Sequence, residues 1–404
     1  MEAYKRLLTY AAIVTGSDEL SDTVPSTPEQ FDLARYLAQE MQDIGLRDVF
    51  ADEHAYVYGK LPATPGYEAC TPIGFIAHID TVPVPAGAEV RPRVIENYAS
   101  GEVVLGDSGR TLSPEAFPHL QKLAGQTLIV TDGNTVLGAD DKAGVAEIMT
   151  AMETLIADGT PHGPISVCFT PDEEIGHGAA LLDLDRFGAK YAYTADGGDM
   201  DEIEYETFNA ASAKWTLKGV SVHPGSAKGA MINAAAIAAE IVSALPADET
   251  PERTEGYEGF YHLCDMAGDV SNASLSFIIR DHDRAKFEQR KQTMRALETR
   301  INERCGAGTA SLELRDQYYN MAEKIAEHPE VVDKAKAAIR AAGMEPRSCP
   351  VRGGTDGSQL SFRGLPCPNI GTGGYCFHGP YEHITAERMD VMTEVILQLV
   401  RQWA

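Results

Sequence analysis

The stretch FIAHIDTVP, residues 75–83, sets a histidine and an aspartate two positions apart at the end of an apolar run. Strand side chains alternate faces, so His78 and Asp80 point the same way from the end of a buried strand. Four further stretches carry polar donors beside apolar runs: GADDKAG with Asp140 and Asp141, PDEEIGHG with Glu173 and Glu174, AYTADGGD with Asp196, and GYCFHGPYEH with His378 and His383. Taken singly, each has an ordinary structural reading as a helix cap, a solvated loop or a satisfied histidine. In an open α/β sheet, however, sites form beyond the carboxyl ends of the strands, where these stretches can converge.

So many carboxylates disfavour one another's ionisation at short range, and helix N-termini offset only part of that repulsion. Multivalent cations would resolve it. Imidazole nitrogen with carboxylate oxygen and no thiolate suits zinc in a catalytic site, with cobalt and manganese as competitors. Cys376 stands nearby, but its spacing matches no thiolate site. With His78, Asp140, Glu174, Asp196 and His378 as ligands, three carboxylates face two divalent ions and leave one positive charge for a hydroxide to balance. Five protein ligands serve two ions only by sharing, so Asp140 would bridge. Paired metals about 3.5–4 Å apart polarise a carbonyl and generate hydroxide near neutral pH. Asp80, on the face of His78, is suited to take the imidazole N–H and fix its tautomer. One of Glu173 and Glu174 would be a ligand and the other a base that carries a proton from water to a leaving amine. Spacing does not say which.

The elements that must position these groups are also legible. Apolar strand candidates recur at 73–78, 126–131, 165–170 and 190–195. Between the middle two, Val145, Ile148, Met149, Met152 and Leu155 repeat at helical spacing and Gly159 closes the helix. Thr27-Pro28-Glu29-Gln30 reads as a capping box opening a helix that runs to about Asp43. After residue 207 the texture changes to alternating strands at 214–222, 274–280 and 311–319, with helices over 229–245 and 284–304. Helix-strand texture then returns and ends in a helix from about Glu387. The fold expected is α/β: a mainly parallel sheet with helices on both faces, built from residues 1–207 and 321–404, with an inserted α+β domain over 208–320. Residues 84–125, rich in Pro and Gly, read as a long irregular insertion.

At 404 residues the chain can bury a large core, and 44% hydrophobic with 23% charged residues is a globular balance. A formal net charge of −26 argues against nucleic acid as a partner. Seven cysteines without a C-x-x-C pair suit a reduced compartment, so the cytoplasm is the expected location. The N-terminal MEAYKRLLTYAAIV reads as an amphipathic helix rather than a secretory leader, and no run approaches a membrane span.

From its first helix to its last the chain resembles the peptidase T family of tripeptide aminopeptidases, within a dinuclear zinc superfamily that includes carboxypeptidases, dipeptidases and deacylases. The segments that carry the resemblance are GFIAHIDTVP, LGADDKAGVAEIM, FTPDEEIGHGA, TADGG, KGVSVHPGSAKGAMINA, FIIRDHD, RGGTDGSQLSFRGLPCPNIGTGG and FHGPYEH, together with the long insertion. The resemblance implies that His78, Asp140 and Asp196 hold one zinc and that Asp140, Glu174 and His378 hold the other. It makes Glu173 the general base and Asp80 the support of His78, and it implies a cis Asp140–Asp141 peptide. His378 is preferred over His383 because the superfamily's ligand histidine is followed four residues later by a glutamate, here Glu382, which leaves His383 supporting or substrate-facing at most. His223 would reach the substrate carbonyl, and Asn233, Arg280 and Arg352 are candidates for the substrate's carboxylate. The implied substrates are short, unblocked peptides. The inserted domain would close over the site and pair two copies as a homodimer. The same machinery on another amide, as dipeptidase, carboxypeptidase or deacylase, is the neighbouring alternative. A catalytically silent metal-binding protein is the distant one.

Overall fold

Ile73–His78, Ile165–Thr170 and Tyr191–Gly197 are apolar and buried along nearly their whole length, as strands covered on both faces must be. In the computed structural model, which describes residues 1–85 and 87–404, the first of these pairs in parallel with the other two, and Tyr191–Gly197 pairs in parallel with Asn369–Gly371. Antiparallel pairings continue the sheet on either side. The full order is Arg47–Ala51, Val57–Leu61, Ile165–Thr170, Ile73–His78, Tyr191–Gly197, Asn369–Gly371, Glu202–Thr207, Arg347–Val351.

Alternation of side chains sends two apolar layers outward, and helices cover each. On one face Phe75 and Tyr193 stack at 6.2 Å. The Tyr193 hydroxyl donates to the Val331 carbonyl at 2.8 Å and accepts from the Trp403 indole at 3.1 Å. Those bonds fasten Pro329–Ala341 and Ala386–Trp403 beside Ala139–Asp158. On the other face Ile76, Cys168 and Ala192 pack with Phe187 and Leu360, from the short helices Leu184–Phe187 and Asp356–Phe362.

The apolar run at 126–131 does contain a strand, Leu128–Val130, but not in this sheet. It pairs with His383–Thr385 and Arg93–Ile95 in a separate three-stranded sheet. All three of its residues are buried, so no alternation marks which sheet they join. The insertion is also less irregular than its Pro and Gly suggest. Val103–Leu105 and Arg110–Leu112 form a hairpin, and Tyr98, Leu105, Leu112, Leu120 and Leu123 build a small core with Leu128 and Val130. The expected capping box at Thr27 is absent: its hydroxyl donates to Gly16, and the helix starts at Gln30.

The chain divides into two compact units, Met1–Tyr205 with Glu323–Cys349 and Thr355–Ala404, and Glu206–Ala322 with Pro350–Gly354. The return of 350–354 to the second unit has no mark in the sequence. That unit is a four-stranded antiparallel sheet in the order Phe260–Gly268, Asn272–Asp281, Asn209–Lys218, Ala310–Tyr318. Its buried face, centred on Trp215, packs against Ile237 and Ile241 of Ala234–Ala244 and against Phe287, Met294 and Ile301 of Arg284–Cys305. The first of these helices begins later than residue 229 because Asn233 caps it, accepting from Ala236 N at 3.1 Å.

Ala139–Asp158 lies so close to Tyr191–Gly197 that a Cβ at Gly144 would sit 2.0 Å from the Ala195 carbonyl oxygen and 2.5 Å from Asp141 Oδ1. Gly144→Ala is therefore expected to push helix from strand at a cost of about 1–3 kcal/mol. Equilibrium denaturation checks this, and an unchanged midpoint would contradict the packing described.

Candidate metal centre

The candidate ligands stand at the ends of regular elements or in the turns and loops that join them. His78 ends its strand, Asp196 is the penultimate residue of Tyr191–Gly197, and Glu173 and Glu174 open a single 3-10 turn after Ile165–Thr170. Asp140 enters Ala139–Asp158 behind Gly138, which takes the left-handed conformation, and the Asp140–Asp141 peptide is cis. His378 sits in the loop between Asn369–Gly371 and His383–Thr385 with φ +62°.

The five side chains meet. Asp140 presents one oxygen to each histidine: Oδ1 is 3.0 Å from His78 Nε2, and Oδ2 is 2.9 Å from His378 Nε2. Asp196 Oδ1 lies 3.5 Å from His78 Nε2, and Glu174 Oε2 lies 3.1 Å from His378 Nε2. Tetrahedral bonds of about 2.0–2.1 Å set ligand atoms roughly 3.3 Å apart, so these spacings match the edges of two coordination shells sharing Asp140. His78, Asp140 and Glu174 form one triple able to hold an ion, and His78, Asp141 and Asp196 another. Asp141 was not among the expected ligands. Its Oδ2 accepts the His78 backbone N–H at 3.1 Å, while Oδ1 is buried without a partner. His78 is buried, whereas the His378 side chain is 54% exposed, so the cluster opens to solvent on that side.

A second ring of carboxylates holds the first. Asp80 accepts the backbone N–H groups of Glu173 and Glu174 at 2.9 and 3.2 Å, fixing the turn that carries both. His78 Nδ1 lies 3.0 Å from the Asp80 carbonyl oxygen and 3.3 Å from its carboxylate. Asp80 thus orients the imidazole chiefly through its backbone. Glu382 accepts from Leu137, Gly138 and Asp140 at 2.7, 2.8 and 3.0 Å, cradling the turn before the helix. Asp172 accepts from Ser26 N, Ser26 Oγ and Gln30 Nε2 at 2.7, 2.5 and 2.7 Å. Sequence reasoning used Glu382 only as a marker and overlooked Asp172. Their partners are mainly backbone groups and distant side chains, which no motif spells out.

Electrostatics follows from this crowding. Burial opposes charge on His78, yet Asp196, Asp140 and Asp80 together hold its pKa well above the ordinary value. Hydrogen bonds to Asp140 and Glu174 raise His378 to about 10. Despite burial, Asp140 is kept below the usual carboxylate range by the two histidines. Burial lifts Asp196 to about 6 and Glu382 to about 7, and burial with Asp196 pushes Glu173 well up. Protons on the imidazoles play the part a divalent ion would take over.

The other candidates belong to the second unit. His223 is exposed, and its Nδ1 accepts from Gly225 N at 3.1 Å. Asn233 caps a helix through its Oδ1, which accepts from Ala236 N. Arg280 donates to Gln317 Oε1 at 3.0 Å and lies over Tyr318. Arg352 donates to the Gly256 and Glu258 carbonyls and to Thr254 Oγ1 at 3.0, 2.9 and 2.7 Å. His383, which lies in the first unit, stacks on His119.

The family model described as Peptidase family M20/M25/M40 matches residues 132–402. Peptidase T of Bacillus licheniformis is 52% identical over 399 residues, covering 98% of this chain and 97% of its own. The crystal structure of an aminopeptidase from Bacillus cereus superposes with a TM-score of 0.78 at 24% identity, over 99% of this chain and 98% of that one. A dinuclear metal binding peptidase of Bacillus subtilis shares the fold at a TM-score of 0.66 and 14% identity, over 98% of this chain and 97% of its own.

Glu382→Gln turns an NH2 group toward backbone donors and leaves the Asp140 turn unsupported. It is expected to weaken metal affinity about 10–100-fold in a protein that still folds. Competition with a chelator measures the loss, and unchanged affinity would show that the cradle is dispensable.

Proposed function

The chain belongs to peptidase family M20/M25/M40, and from that premise we propose that this metallo-aminopeptidase binds two zinc ions and removes the N-terminal residue from unblocked tripeptides. The observation that carries the reading is Asp140, with one oxygen toward each of two histidines, in a chain about half identical to peptidases T. His78, Asp140 and Asp196 would hold one ion, and Asp140, Glu174 and His378 the other. Cobalt or manganese would fit the same nitrogen and oxygen donors. Bound there, the ion pair supplies a Lewis acid for the scissile carbonyl and lowers the pKa of the attacking water.

The remaining work falls to the chain's own groups. Glu173 takes the proton from water at a carboxylate oxygen and hands it to the leaving amide nitrogen. Burial and Asp196 raise its pKa well above the ordinary carboxylate value, the direction that suits a group which must both take and return a proton. Asp80 keeps this base in place through the Glu173 N–H and holds the His78 ring. His223 would steady the oxyanion as the carbonyl carbon becomes tetrahedral. Arg280, Arg352 and Asn233 are the groups for the substrate's carboxylate. Of these, Arg352 would have to exchange its three present acceptors for the ligand. The inserted unit would serve as lid and as the contact of a homodimer. No helix among the described residues is long and apolar enough to cross a membrane, and the seven cysteines are all free. Both features are compatible with action in the cytoplasm.

Glu173→Gln is expected to retain metal and lower kcat about 10²–10⁴-fold; near-normal turnover would remove Glu173 from the role of base. Specificity is tested by giving the zinc-loaded protein trialanine, dialanine, tetra-alanine and N-acetyl-trialanine and identifying products by mass spectrometry. Alanine plus dialanine from the free tripeptide alone is the expected result. Cleavage of the blocked or two-residue substrate instead would assign the site to deacylase or dipeptidase chemistry.

A further inference from the structure

Away from Asp140, a second group of metal-ligating atoms is gathered where the 84–125 insertion meets the loop carrying His378. The donor atoms of His119, Cys376 and His383 all lie within 4.8 Å of one another. His119 stands on the 3-10 segment Pro118–Leu123, and His383 opens the strand His383–Thr385. Spacing in the sequence gave no hint of this group, because His119 lies far along the chain from Cys376 and His383.

The orientation of the rings is informative. His383 is fully buried, and its Nδ1 lies 2.7 Å from the Tyr381 carbonyl oxygen. A carbonyl only accepts, so Nδ1 carries the proton and Nε2 presents a lone pair. Tying the outer nitrogen to a carbonyl while the inner one stays available is how a protein prepares an imidazole for a metal. That Nε2 lies 2.9 Å from His119 Nε2, with the two rings 5.0 Å apart and nearly parallel at 8°. Tyr375 stacks on His119 at 4.2 Å and on His383 at 5.4 Å, holding both imidazoles in register. Cys376 takes φ +57°, a conformation uncommon for a residue with a side chain and concentrated at functional turns. Arg388 stands over Tyr375 at 4.5 Å and is paired with Asp199.

We propose that His119, Cys376 and His383 form a further metal site, separate from the dinuclear centre, that takes one divalent transition ion of the zinc or cobalt kind. One thiolate and two imidazoles favour those ions over magnesium, calcium or manganese, and three protein ligands leave a fourth position for water. Zinc–nitrogen bonds of about 2.0–2.1 Å require the two Nε2 atoms to part by a few tenths of an ångström. On binding, the Cys376 thiol proton is released to solvent and the proton of His119 moves from Nε2 to Nδ1. The ion joins the insertion to the loop that carries His378, so its occupancy stiffens that loop.

Cobalt spectroscopy separates this site from the first, whose donors include no sulfur. Protein already carrying two zinc ions per chain is titrated with Co2+ and desalted. A third equivalent of metal and a thiolate-to-cobalt charge-transfer band in the near ultraviolet are expected. Cys376→Ser should abolish both, and His119→Ala should weaken cobalt binding at least tenfold, each variant keeping its two zinc ions. Metal content that stays at two without the band overturns the proposal, as does a band that survives Cys376→Ser or binding that is undiminished in His119→Ala. None of these readings depends on turnover, so they stand whatever the peptide specificity proves to be.

Discussion

Carboxylates crowded into a buried site are tolerated where opposite charge or N–H donors offset their repulsion, and that need shapes the region around Asp140. Its two oxygens face two imidazoles. Around it, Asp80 and Glu382 spend their oxygens on N–H donors of the turns that carry Glu173, Glu174 and Asp140, while Asp172, next to Glu173, spends its own on Ser26 and Gln30. Carboxylates therefore act in two capacities. The inner ones are left with lone pairs for a cation, and the outer ones are saturated and serve as fasteners. A charge that would be a liability in an ordinary core becomes the means of fixing backbone at Ser26, at the Leu137–Asp140 turn and at the turn of Glu173 and Glu174.

Much of this was legible because regular elements announce their own ends. His78 and Asp80 were readable as a pair since a strand's period is two, and Asp140 since a helix pattern begins just after it. The parallel strands declared themselves through continuous burial. What stayed hidden has a common physical origin. Leu128–Val130 is buried on all sides, so the same letters fit two different sheets. Glu382 and Asp172 act on groups far away in the chain, many of them backbone N–H groups that have no sequence signature. Arg352 shows a further gap: residue chemistry indicates what a side chain is able to bind, while only the fold reveals that a neighbouring turn already occupies it.

The insertion illustrates how a segment with poor local signals still acquires order. Its strands are short and its Pro and Gly numerous, yet a hairpin, a 3-10 segment and a third sheet enclose a small apolar core. Through that sheet Leu128–Val130 pairs with His383–Thr385, which follows directly on Glu382. The loop bearing His378 is thereby anchored at its far end by a structure that the central sheet does not provide.

The side chains that meet around Asp140 are drawn from positions spread between residue 78 and residue 378. No contiguous fragment of modest length contains them all, and none of the contacts among them is made between close neighbours in the chain. During synthesis on the ribosome the cluster is absent until His378 has emerged and the loop has closed against strands made long before. A cluster assembled in this way is complete only when nearly the whole chain has been made, so any chemistry that needs all five side chains waits on a nearly finished chain.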